Sequence, residues 1–96
     1  MVRRAAKIDD NQNSIVQGLR KVGCRVLSLA AVGKGCPDLL VYRAGRLYLL
    51  EVKDGAKPPS RRKLTQEQVA FHKKWPVTVV TSIEEAIAAT QGDNRR

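Results

Sequence analysis

Histidine and cysteine are scarce in this chain. It has one histidine, His72, and two cysteines, Cys24 and Cys36, and the two cysteines do not form a Cys-x-x-Cys pair. A structural zinc site usually takes four Cys or His ligands, so that class is excluded. In a reducing compartment the two thiols stay free. Long apolar runs are also missing. No stretch approaches the roughly 20 residues of a membrane span. No apolar signal core follows the basic N-terminus. The expected setting is cytoplasmic and associated with DNA or the nucleoid, with no membrane and no organic cofactor. Acidic residues are few: nine Asp and Glu stand against eighteen Lys and Arg.

What is present is positive charge. The balance is +9, with a sequence pI near 10.2. Such an excess suits a polyanionic partner, and nucleic acid is the commonest one. With 96 residues the chain reads as a single domain over 1–96. Residues 1–8 form a basic arm carrying Arg3, Arg4 and Lys7, and residues 91–96 a flexible tail. The apolar fraction of 43% is enough for a core. So short a chain buries only about two-thirds of its unfolded surface. Pairing with a copy of itself is a common remedy.

Periodicity gives the elements. Asp9 or Asp10 caps a helix running to about Lys21, with Ile15, Val16, Leu19 and Val22 on one face and Gly23 ending it. Arg25 to Ala31 suits a strand. Val32 to Pro37 is a loop punctuated by Gly33, Gly35 and Pro37. Asp38 to Arg43 and Arg46 to Lys53 are strands joined by Ala44-Gly45. Their successive apolar positions predict a sheet covered on both faces. Asp54 to Lys63 is a basic loop, not helical across Pro58-Pro59. Thr65-x-x-Gln68 is a capping box opening a helix that ends near Trp75. Val77 to Thr81 is a short strand. Ser82-x-x-Glu85 opens a last helix to about Thr90. The fold class is α/β, a mixed sheet flanked by helices in the order α-β-β-β-α-β-α.

The chemistry gathers at Pro37-Asp38 and at Glu51-Val52-Lys53, 13 residues beyond Asp38. Side chains alternate along a strand, so Glu51 and Lys53 share a face. If Ala44-Gly45 is a two-residue turn, Arg43 meets Arg46, Leu40 meets Leu49, and Asp38 meets Glu51. A four-residue loop keeps that register, and a three-residue loop shifts it by one. Opposed carboxylates repel unless something cancels the charge. A divalent cation does so, and oxygen ligands suit Mg²⁺ or Mn²⁺. Lys53, one pleat further on, can help orient or deprotonate the attacking water, or stabilise charge on the scissile phosphate. Together these groups suit hydrolysis of a phosphodiester bond. The plainer account is a solvated strand end with a salt bridge, since Glu-x-Lys alone is common. Pro-Asp ahead of Glu-x-Lys on a hairpin partner is more specific.

These residues carry a family resemblance. The chain resembles the PD-(D/E)XK nuclease superfamily, and within it the small stand-alone VRR-NUC domains. The matching pieces are Gly33-Lys34-Gly35-Cys36-Pro37-Asp38, Tyr48-Leu49-Leu50-Glu51-Val52-Lys53 and Lys63-Leu64-Thr65-Gln66-Glu67-Gln68. The resemblance spans nearly the whole chain, residues 10–90. It implies a restriction-endonuclease-like core, metal-dependent DNA cleavage and a homodimer similar to Holliday-junction resolvases. By this likeness Asp38 and Glu51 hold the metal, Lys53 is the catalytic lysine, and Gln68 lies near the site. The chain departs from the pattern at Gln12, where related resolvases carry a glutamate on the first helix. Gln12 offers a carbonyl oxygen without charge, and Asp9 or Asp10 can substitute for it.

Lys57, Arg61, Arg62 and Lys63 form a basic patch beyond the active-site strand, suited to phosphate contact without sequence reading. Lys34 in the glycine loop can reach phosphate, and Gly33 and Gly35 let backbone approach a ligand. His72 reads as a packed or surface residue rather than a base. Phe71 and Trp75, four apart, suit the core or a dimer contact. Cys36 has no nearby histidine base, so it is not read as a nucleophile. The leading expectation is a homodimeric endonuclease on branched or structured DNA. The alternative is a non-catalytic DNA-binding module with a nuclease fold, which the departure at Gln12 favours. A third reading, an RNA-binding or assembly protein driven by charge, leaves Asp38 opposite Glu51 unexplained.

Overall fold

A computed structural model describes residues 11–92. The basic arm and the Asp9 or Asp10 cap lie outside the described residues, as does most of the tail. Over the described residues the fold is α/β: a four-stranded mixed sheet and three α-helices. Helix α1 (Gln12–Lys21) leads into β1 (Arg25–Ser28), β2 (Leu39–Arg43) and β3 (Arg46–Val52). Helix α2 (Gln66–Lys74), β4 (Val77–Val80) and α3 (Ile83–Ala89) follow. A short 3-10 turn, Pro59–Arg61, interrupts the loop between β3 and α2 and is absent from the expected order. Among the described residues no helix is long and apolar enough to cross a membrane.

The strands lie in the order β1-β2-β3-β4. β1, β2 and β3 are antiparallel neighbours, and β4 runs parallel to β3. A parallel neighbour requires a crossover, and the segment holding α2 supplies it. Ala44 and Gly45 both have positive φ, 51° and 84°, so they form the two-residue turn suited to a tight hairpin. The pairing follows: Arg43 meets Arg46, Leu40 meets Leu49, and Leu39 meets Leu50. One further step along this register sets Asp38 across from Glu51.

Several boundaries differ from the sequence expectations. β1 stops at Ser28, short of Ala31, because the chain turns where Val32 N–H donates to Leu29 O at 3.0 Å. Asp38 precedes β2, and Lys53 follows β3. Asn11 occupies the N-cap of α1 but makes no side-chain cap bond. Its amide instead donates to Lys53 O at 3.2 Å and Thr81 O at 2.9 Å, tying α1 to the ends of β3 and β4. The Thr65–Gln68 capping box is complete. At α3, Ser82 Oγ accepts from Glu85 N–H, but the Glu85 carboxylate reaches Thr81 N–H rather than the N-cap amide.

The core lies on one face of the sheet. Ile15 and Leu19 of α1 and Ala86 of α3 bury against Leu39, Val41, Leu50, Val52 and Val80. Gly18 brings α1 close to α3, since a Cβ there would overlap the Ile83 side chain. The expectation of a sheet covered on both faces is wrong. Leu27, Tyr42, Leu47 and Val79 are exposed, Leu47 by 67%. Alternation puts them on the face away from the core, where Gln68 of α2 reaches Glu51 but these four side chains stay in water.

Candidate active site

Alternation along the end of β3 and the residue after it sets the candidate side chains on one face. Glu51 and Lys53 project from the face opposite the core, and Asp38 joins them from the facing chain. All three line one cavity of about 350 Å³, together with Gly33, Cys36 and Gln68. Glu51 is only 2% exposed. Burial of a carboxylate is costly unless it is paired and hydrogen-bonded, and both conditions are met. Lys53 Nζ lies 3.7 Å from Glu51 Oε2, and Gln68 Nε2 donates to the same oxygen at 3.0 Å. Asp38 is held by a charge-assisted bond, its Oδ2 accepting from Val52 N–H at 2.7 Å.

Gln68 connects these groups. Its Oε1 accepts from Lys53 Nζ at 3.3 Å and from Thr65 N–H at 2.9 Å. Thr65 Oγ1 in turn accepts from Gln68 N–H at 3.1 Å. One amide therefore closes the capping box of α2 and bridges the Glu51–Lys53 pair. The assignment of its two ends follows from its neighbours: the NH₂ meets a carboxylate and the oxygen meets an ammonium.

The electrostatics of the pocket act on its neighbours. Burial pushes the Cys36 thiol above its ordinary value, and the Glu51 and Asp38 carboxylates push it further the same way. Cys36 therefore stays protonated near neutral pH, in keeping with a lining rather than a nucleophilic role. Burial pulls the His72 imidazole below its ordinary value, and the Lys53 ammonium adds to that. His72 follows Gln68 by four residues on α2 and so shares its face.

Asp38 and Glu51 are hard oxygen donors on facing positions, the donor set that Mg²⁺ and Mn²⁺ take. Among the described residues no group of three or more His, Cys, Asp or Glu could hold a metal. A two-carboxylate site still fits these ions, which are commonly held by one or two carboxylates with water and substrate phosphate completing the shell. Gln12 does not line the cavity. It is buried on α1, and its Oε1 has no hydrogen-bond partner among the described residues.

The basic residues divide. Arg62 Nε donates to Lys57 O at 2.7 Å, so Arg62 closes the loop on itself. Arg61 and Lys63 are exposed. None of Lys57, Arg61, Arg62 and Lys63 lines the cavity. Lys34 stands in the loop beside it with a left-handed φ of 58°. Gly35 lines the cavity with Gly33 and also lets α2 approach, since a Cβ there would strike the Glu67 carbonyl. Phe71 and Trp75 are not core residues; their rings stack on the surface. Sequence reasoning missed Asn11, whose only signal was a residue type common at N-caps, and Thr65 and Glu67 as cavity walls.

A larger cavity, about 450 Å³, lies at the turn end of the hairpin, lined by Arg43, Arg46, Tyr48 and Thr90. Among the described residues it has no carboxylate wall. Its Arg43 is engaged at the C-terminus of α3, donating to Ile87 O at 3.4 Å and Thr90 Oγ1 at 3.2 Å. No family model, curated protein or solved structure matches this chain.

Proposed function

We propose that this chain is a divalent-metal-dependent endonuclease of the PD-(D/E)XK type, similar to VRR-NUC domains, that hydrolyses DNA phosphodiester bonds in branched or structured DNA. The observation that carries the reading is the convergence of Asp38, Glu51, Lys53 and Gln68 on one cavity, with Gln68 bonded to both Glu51 and Lys53. Asp38 and Glu51 would hold Mg²⁺ or Mn²⁺. When bound, that ion polarises the phosphate and lowers the pKa of water. Lys53 faces the same space and supplies positive charge to the phosphate as negative charge develops on it. Gln68 fixes where the Lys53 ammonium stands. The excess charge of +9 favours a polyanionic substrate. Two sites in a two-fold homodimer would address two strands, and the open apolar face of the sheet offers a surface for the second copy.

The test is cleavage of a panel of linear, flapped, nicked and four-way DNA with Mg²⁺, Mn²⁺ or EDTA. Asp38→Asn and Glu51→Gln should each abolish cleavage while the fold survives, because each removes a charged oxygen ligand and relieves repulsion. Normal cleavage by either variant, or in EDTA, would falsify the assignment. A second reading, a DNA-binding module that does not cut, is favoured by Gln12, which brings no third carboxylate to the site. It predicts DNA binding without cleavage of any substrate in the panel.

A further inference from the structure

Trp75 is 54% exposed and caps the C-terminal end of α2. A large aromatic left half in water forgoes much of the apolar burial it could gain. Trp75 is not isolated there. Phe71 stacks beneath it, with ring centroids 5.5 Å apart and planes 17° apart. Lys34, Glu67 and Lys74 surround the pair in a shallow depression of about 230 Å³. Two ammonium groups against one carboxylate leave the depression positive.

Its position matters as much as its composition. Glu67 belongs both to this depression and to the catalytic cavity. Lys34 sits between Gly33 and Gly35, which line that cavity. Gly35 lies so close against the Glu67 backbone that no side chain fits between them, so the loop bearing Lys34 is seated on α2. The aromatic pair therefore adjoins the catalytic cavity across one shared wall.

We propose that Phe71 and Trp75, with Lys34 and Lys74, form a platform for an unpaired nucleobase of a DNA strand whose phosphate enters the neighbouring cavity. The proposal rests on the nuclease reading above and narrows its substrate. Aromatic faces beside cations bind single strands by base stacking with phosphate contacts alongside. Bases inside a duplex are already stacked on one another and present no free face. The platform thus selects substrates with an unpaired nucleotide next to the cut, at a flap, gap or branch. A second copy of the chain is a poorer occupant, since a two-fold contact here would bring the lysines of the two copies together.

Trp75 is the sole tryptophan, so its fluorescence reports the platform directly. The experiment titrates the full chain with a short oligothymidine in EDTA, where no metal-dependent cleavage occurs, beside an abasic oligomer of equal length. Oligothymidine should quench Trp75 emission, and the abasic oligomer should bind through its phosphates with little quenching. By anisotropy of labelled oligomers, Trp75→Ala should lose at least about fivefold in affinity for oligothymidine. Trp75→Phe should retain most of it, and neither should change affinity for the abasic oligomer. Absent quenching, equal quenching by both oligomers, or unchanged oligothymidine affinity in Trp75→Ala would overturn the proposal. So would conversion of a dimer to a monomer by Trp75→Ala, which would make the face a contact between copies. If Trp75→Ala does not fold, the quenching comparison in the native chain decides alone. Quenching without any cleavage of the panel above would sink the nuclease reading and leave the platform standing, and cleavage without quenching would do the reverse.

Discussion

Lys53 and Glu51 form an ion pair that Gln68 bridges with opposite ends of one amide. Their roles separate by chemistry. A lysine carries no oxygen and cannot ligate an ion of the Mg²⁺ type. Its proposed contribution is to the attacking water and the phosphate, where charge grows during reaction, so its removal should lower the rate more than the affinity. Lys53→Ala should still bind divalent metal and DNA, because Gln68 Oε1 keeps its bond from Thr65 N–H. Single-turnover cleavage should fall at least about a hundredfold, the scale of one electrostatic or proton-transfer group. Calorimetry of metal binding beside cleavage at saturating enzyme checks this. A normal rate would remove Lys53 from the mechanism, and lost metal binding would make it a structural spacer between the carboxylates. At this scale the sequence was informative. Asp38, Glu51 and Lys53 announced themselves by residue type and alternation; the capping box marked Gln68 only as a helix cap, and its place beside them was implied by the family resemblance alone. The Asn11 tie was not legible, because it joins groups 42 and 70 residues apart and targets backbone carbonyls that no residue type marks.

Among the elements, the loop from Asp54 to Lys63 changes meaning once its own bonds are known. Four cations in a short stretch suggested uniform phosphate contact. The Arg62 bond to Lys57 O instead gives Arg62 a loop-closing role, beside the 3-10 turn that follows Pro58. Arg61 and Lys63 remain exposed. Replacing those two with alanine should weaken DNA binding alike on all sequences. If both contact duplex phosphates, the log–log salt dependence should flatten by roughly 2 × 0.9 units. Binding titrations across a salt series measure the slope, and no change would show that the loop faces away from DNA. The hairpin was legible from one dipeptide, Ala44-Gly45, since strand register follows from turn length. The end of β1 was not, because Leu29 to Ala31 is as apolar as the strand before it and only the turn at Val32 stops the ladder.

For the molecule as a whole, the sheet has one sealed face and one open one. The run of apolar residues in β2 and β3 suggested cover on both sides. Composition could not reveal that α2 reaches Glu51 through Gln68 yet leaves Leu27, Tyr42, Leu47 and Val79 in water. An exposed apolar sheet face on a small domain is a natural surface for a second copy. Leu47→Glu should convert a dimer to a monomer in light scattering, with little loss of thermal stability, because Leu47 is outside the core. A dimer that persists would place the interface elsewhere. The two faces have another consequence. Cavity and core take alternate residues at the end of β3: Leu50 and Val52 belong to the core, while Glu51 and Lys53, the residue after the strand, face the cavity. Heritable change can therefore act on the two almost separately. Substitutions at Glu51 and Lys53 change the cavity in a protein that still folds, whereas those at the buried Leu50 and Val52 strike the core. A lineage carrying this sheet can rebuild its cavity, keep its shape, and become available for a different task.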